Sequence, residues 1–220
     1  FIEHMAFKGT DSLQSSDIIS QIFDSIGAYI NAHTTIDYTC YVSKCDSGYL
    51  LLCLKTLLDM IFNSKFDKKE IDKEKAVVIE EISINRDNPS NNINEVIYNT
   101  LFTGSSYSQP IGGTDDIINN YTYENILEFY KYFYVPNNVV VSICSNLSFS
   151  KIKEMIKHHN PNLSMKREGE FVSTLTLKSP KNNLLLTNIK LEKTYLAVGF
   201  RICNRDNKDY FLLDILRIIL

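Results

Sequence analysis

The chain has 220 residues, of which 44% are hydrophobic and 22% charged, with a formal net charge of −3. That length and hydrophobic share suit one sizeable packed domain or two small ones. The 23 basic residues are outnumbered by 26 acidic ones and interspersed with them. A nucleic-acid partner, which needs clustered Lys and Arg, is therefore excluded as the main one.

Taken in chain order, residues 1–8 are good helix formers and Gly9 stops them. Residues 16–26 predict a helix with Ser15 or Ser16 as N-cap and Gly27 as its stop. Residues 29–35 and 38–44 alternate and carry β-branched and aromatic side chains, so they predict two strands. Residues 50–62 predict an apolar helix and 68–85 an amphipathic one, with Ile71, Val78 and Ile82 on one face. Asp87-Asn88-Pro89-Ser90 breaks the pattern before a helix over 93–102. A Gly/Ser/Pro loop over 104–114 follows, then a helix capped by Thr122 that runs to about Phe133.

The β-branched run 139–144 predicts a buried strand, and 149–158 a short helix. The polar stretch 159–170 is the linker candidate. Strands are expected near 183–189 and 194–203, then an apolar helix over 209–220. Helices mixed with neighbouring strands predict an α+β fold with a largely antiparallel sheet and helices packed on one side. The expected domains are 1–158, the linker 159–170, and a following α+β segment over 171–220.

The chain begins with Phe1 and closes on an apolar helix with no stop signal, so both ends are expected to be truncations. No apolar run is long enough to span a bilayer, and no signal peptide is visible. The five cysteines are odd in number and lack a CxxC pair. They are expected to be reduced core thiols, which favours a reducing compartment of cytoplasmic or mitochondrial-matrix type.

Chemistry concentrates at Glu3-His4. On a helix, a residue four before His4 shares its face, and two histidines so placed clamp a zinc ion. A glutamate beside such a clamp can take a proton from an activated water without ligating the metal. An E-H dipeptide alone is common on surface helices, so context has to decide. A further ligand is expected from the helix 68–85, which carries Glu70, Glu74, Glu80 and Glu81. Glu74 and Glu81 are seven apart and face the same way. Glu80 and Glu81 follow Val77-Val78-Ile79, which sets them at the edge of the buried face.

With these residues in view, the chain resembles the pitrilysin (insulinase-type) zinc peptidases, in the branch of mitochondrial processing peptidase and its bacterial relatives. Phe1–Thr10 resembles that family's inverted H-x-x-E-H signature, of which x-x-E-H is present here. Residues 27–34 (GAYINAHT) resemble its G-x-x-x-N-A-x-T segment, and 74–82 its E-x6-E helix. Residues 109–114 and 134–138 resemble two later family segments.

The resemblance implies half of a two-lobed peptidase that binds Zn2+. His4 and Glu81 would be metal ligands, with a histidine expected just before Phe1. Glu3 would be the general base acting on a zinc-activated water, and Glu74 a supporting carboxylate. Asn31 and Ala32 would lie on the strand that takes the substrate backbone. A loop histidine that relatives often carry stands here as Ser105.

The implied function is a metalloendopeptidase acting on peptides or presequences, paired as a homo- or heterodimer with a second family half. The alternative is a non-catalytic scaffold or substrate-recognition subunit. The bare chain is expected to be inactive by itself.

Overall fold

The structure, a computed structural model, describes residues 1–159 and 193–220. Among them the elements run α1 (Ile2–Ala6), α2 (Ser16–Ser25), β1 (Tyr29–Thr34), β2 (Thr39–Lys44), α3 (Leu50–Phe62), α4 (Lys68–Asp87), α5 (Pro89–Leu101), α6 (Asp115–Asn120), α7 (Tyr123–Phe133), α8 (Phe149–His159) and α9 (Tyr210–Ile219). The chain divides into two units, Phe1–Ile82 with Ile111–Ser173, and Ser83–Pro110 with Thr174–Leu220.

In the first unit, α1 is a single turn that ends where the sequence requires it to. Gly9 has φ 124°, and a Cβ there would lie 2.8 Å from the Leu13 carbonyl oxygen. Only glycine lets the chain reverse so tightly at that point. The next residue pins the reversal to α3, because the Thr10 hydroxyl donates to Asp59 at 2.5 Å. Met5 is fully buried among Phe66, Ile71 of α4 and Ile126 of α7, with Phe1, Ile2 and Tyr130 around them. Burying one such side chain is worth about 1.5–3 kcal/mol, so α1 is held by packing and not by its own few hydrogen bonds.

A second cluster joins Ile19 and Phe23 of α2 to Cys53 and Met60 of α3. Ile30 of β1 packs against it, while Asn31 and His33 are exposed. The hairpin is antiparallel, with Tyr29 opposite Lys44 and Thr34 opposite Thr39. Helices α2 and α3 therefore cover one face of it.

In the second unit, Asn88 caps α5 and Pro89 occupies its first turn, where a missing N–H costs nothing. The helix predicted over 93–102 thus begins four residues earlier. Gly199 lies against this helix: a Cβ there would come within 2.7 Å of both Ile97 and Leu101.

The architecture is α+β with an antiparallel sheet, of which the described residues pair β1 and β2. The run 139–144 has extended backbone at Val139 (φ −118°, ψ 131°), but Val140 is 93% exposed and the run pairs with no other described residue, so the buried strand expected there is not seen among them. Residues 194–203 likewise pair with no other described residue. Branching at Cβ favours extended backbone, but a strand also needs a neighbour, and among the described residues only β1 and β2 pair.

The expected linker 159–170 lies outside the described residues, except His159, which ends α8. The expected strand 183–189 lies outside them entirely. Helix α6 was not predicted; Thr114 caps it by accepting from the Ile117 N–H, and Asp115 and Asp116 fill its first turn. No helix among the described residues is long and apolar enough to cross a membrane.

Candidate metal centre

Two helices build the site. On α4, Ile71, Glu74 and Val78 form the buried stripe, so a carboxylate sits inside an apolar row. On α1, burial of Met5 turns the preceding His4 toward that row. His4 Nδ1 stands 2.7 Å from Glu74 Oε1, and Lys8 Nζ stands 2.7 Å from Glu74 Oε2. Glu74 is only 3% exposed at its side chain, so these two bonds satisfy an otherwise costly buried carboxylate. Burial alone would push its carboxyl up; the hydrogen bonds from Lys8 and His4 outweigh this and hold it below the usual range.

The partner of Nδ1 fixes the tautomer. A carboxylate only accepts, so Nδ1 carries the proton, and in the neutral ring Nε2 presents a bare lone pair. That nitrogen faces Glu81 Oε2 at 3.5 Å. Two acceptors facing each other across that gap call for a cation or a proton between them.

An imidazole nitrogen and a carboxylate oxygen are donors that zinc accepts. Two such atoms on one tetrahedral zinc stand about 3.4 Å apart. The carboxylate behind the ring is the companion that metal-bound histidines ordinarily have. The donor set therefore fits zinc. The described residues bring two donors together here, His4 and Glu81, and no group of three or more His, Cys, Asp and Glu. Glu81 is 55% exposed, so the buried carboxylate of α4 is Glu74, not Glu80 or Glu81.

Glu3 precedes His4 on α1. Its carboxylate accepts a hydrogen bond from the Thr34 hydroxyl on β1. Thr34 Oγ1 stands 3.4 Å from Thr39 Oγ1 across the hairpin, and the Tyr41 and Tyr134 hydroxyls are 3.1 Å apart. Burial pushes both phenols up, so both keep their protons.

Asn31 and Ala32 lie on β1 opposite Val42 and Tyr41, and the hydrogen bonds of the Asn31 side chain stay within that strand. Asn31 Nδ2 donates to the Tyr29 hydroxyl at 2.7 Å, and Asn31 Oδ1 accepts from the Ala32 N–H at 2.9 Å. The Ala32 N–H is thus turned away from β2, on the side of β1 that pairs with nothing among the described residues.

The other histidines belong elsewhere. The His33 ring packs edge-on against Tyr38, and His158 faces Glu154 at 3.8 Å on exposed α8. All five cysteines are free thiols, and burial beside Cys53 pushes Cys45 up to about 11, far from a metal-binding thiolate.

Sequence reasoning missed Lys8 and Thr34. Lys8 follows His4 by four residues, the stride that puts two side chains on one face. Nothing in the sequence pairs Thr34 with Glu3, because that contact joins residues far apart in the chain.

Residues 1–115 match the family described as Insulinase (Peptidase family M16), and residues 120–220 match the Peptidase M16 inactive domain. An uncharacterised zinc protease of Bacillus subtilis, YmxG, is 33% identical over 91% of this chain and 48% of its own length. An uncharacterised zinc protease of Rickettsia felis is also 33% identical, over 91% of this chain and 47% of its own. Subunit 1 of the mitochondrial cytochrome b-c1 complex of Mus musculus is 25% identical over 80% of this chain.

Among solved structures, a protease from Helicobacter pylori superposes with a TM-score of 0.73 at 28% identity, over 83% of this chain and 44% of that one. Pitrilysin shares the fold, with a TM-score of 0.64 at 22% identity. The chain spans about half the length of the curated relatives it matches.

Proposed function

The chain belongs to the insulinase family of peptidases, M16, and from that premise we propose that it carries the metal-binding part of a zinc-dependent endopeptidase that hydrolyses peptides or presequences. The observation that carries this reading is the His4 ring, bonded at Nδ1 to Glu74 and facing Glu81 with Nε2. His4 and Glu81 would hold zinc, with a further protein ligand expected at the position where the inverted motif has its first histidine. Zinc, when bound, supplies Lewis-acid chemistry for carbonyl polarisation and water activation.

The rest falls to the chain's own residues. Glu74 holds the His4 ring in one tautomer and one orientation. Lys8 occupies the second oxygen of Glu74, so that carboxylate cannot turn toward the metal in place of Glu81. Glu3, one residue from the ligand, is the base that takes a proton from the attacking water and returns it to the leaving amine. The free side of β1 around Asn31 and Ala32 accepts the substrate backbone as an added strand, with the peptide N–H and C=O groups replacing the Asn31 cap on Ala32. Such recognition through the main chain tolerates varied sequences. A second family half covers the substrate, and the five free thiols suit a reducing compartment.

A second reading has one observation in its favour: residues 120–220 match a domain described as inactive. On that reading the chain belongs to a scaffold or substrate-recognition subunit. Presence of Glu3, His4, Glu74 and Glu81 together supports the enzyme instead.

The deciding experiment uses the full-length protein with a fluorogenic peptide. The peptidase reading expects cleavage that a chelator stops and zinc restores. Glu3→Gln should keep its zinc and lose at least about 100-fold in kcat, the scale of a general base. A full-length protein that holds zinc but cleaves no peptide, with or without Glu3, would support the scaffold.

A further inference from the structure

Thr34 donates to Glu3, and across the hairpin its hydroxyl stands 3.4 Å from that of Thr39. Each hydroxyl has one proton to donate, and a carboxylate has none. Thr34 spends its proton on Glu3, so the Thr39 hydroxyl must donate to Thr34. Both donors point one way and end on the Glu3 carboxylate.

Thr34 and Thr39 are register partners at the end of the hairpin, so the ladder fixes one threonine against the other.

We propose that Thr34 is the positioning residue for Glu3, and that Thr39, its partner across the hairpin, keeps the Thr34 proton directed at the Glu3 carboxylate. The inference rests on the peptidase reading for its consequence in turnover, but not for its geometry. Successive hydrogen bonds polarise one another, so loss of the Thr39 donor weakens the bond at Glu3 less than loss of Thr34 itself.

The test compares Thr34→Val, Thr34→Ser, Thr39→Val and Glu3→Gln in the full-length protein. Thr34→Val keeps shape and β-propensity but removes the donor; it should lower kcat by about 10-fold or more, within the range open to a general base, while KM and zinc content stay at the parent level. Thr34→Ser should recover kcat to within about threefold, and Thr39→Val should show a smaller loss than Thr34→Val. Equal losses in the Val and Ser variants would assign Thr34 a packing role and overturn the proposal. So would a Thr34→Val enzyme as fast as the parent when Glu3→Gln is inactive.

Crystal structures of the parent and Thr34→Val give a readout that needs no turnover. The Glu3 carboxylate should keep one rotamer in the parent and leave it in the variant. An unmoved Glu3 overturns the proposal even if the protein proves not to be a peptidase. If Glu3→Gln turns over at the parent rate, it is the peptidase mechanism that fails, and the crystallographic comparison still decides the positioning claim.

Discussion

Replacing Glu74 by Gln keeps the shape of the buried carboxylate and removes its charge. The Glu74 side chain is 3% exposed and accepts from both His4 and Lys8 at 2.7 Å. A glutamine offers one acceptor oxygen, so it can serve His4 or Lys8, and its amide group then points a donor at the other. Each bond to a charged group is worth about 1.5–3 kcal/mol. Lys8 is 30% exposed and can turn to water, which limits the loss to one bond, so about 2–3 kcal/mol is expected at pH 7.

Urea unfolding of the metal-free protein reads this as a lower midpoint at unchanged slope. The pH dependence follows from the direction of the shift. The folded Glu74 carboxyl lies below its ordinary value, with burial opposing and the Lys8 and His4 bonds prevailing. Its contribution is therefore complete above the unfolded value of about 4.3 and is lost as pH falls through the folded one. The gap between parent and variant should be constant from about pH 7 to 5 and close at lower pH. A gap under about 0.5 kcal/mol at pH 7, or one of equal size at pH 7 and pH 3.5, would refute the assignment of the buried charge to this pair of bonds.

Three further outcomes follow from the same geometry. Glu74→Gln should also weaken zinc binding by about 10- to 100-fold, measured by competition with a chromogenic chelator, because the His4 ring loses the partner that orients it. Met5→Ala should cost about 2–5 kcal/mol in urea unfolding, since the removed side chain is fully buried among Phe66, Ile71 and Ile126, and a cost under 1 kcal/mol would mean that α1 is not held by this core. Peptide substrates N-methylated at single backbone positions should show KM raised by about 3- to 10-fold per lost bond where the amide pairs with β1, alternating with positions of no effect. A flat response along the peptide would remove β1 as the substrate track.

Much of the first unit is legible in the sequence because its signals are local. Ser15 before α2, Thr122 before α7 and Gly27 after α2 are caps and stops whose chemistry acts within one turn. The hairpin is legible from alternation alone, and its partners are adjacent in the chain.

What was not legible depends on contacts between distant residues. The run 139–144 has the composition of a strand, but composition does not say which segment would pair with it, and among the described residues none does. Burial of Glu74 was open to view in one respect: it falls between Ile71 and Val78 in the apolar stripe of α4. Counting charges on that helix hid this, because three other glutamates on it are not buried. The juxtaposition of His4 with Glu81 was reached through resemblance, since their separation along the chain has no physical rule of its own. The Thr34 bond to Glu3 joins α1 to the hairpin, and no spacing in the sequence announces it.

The central claim is that His4 and Glu81 hold a zinc ion. Anomalous diffraction from crystals of the full-length protein with zinc, collected on both sides of the zinc absorption edge, tests it without any assay of turnover. The account predicts one strong peak about 2.0–2.2 Å from both His4 Nε2 and a Glu81 carboxylate oxygen, with Glu74 still bonded to Nδ1. No peak between these two side chains at saturating zinc, or a peak ligated by Glu74 in place of Glu81, would contradict it.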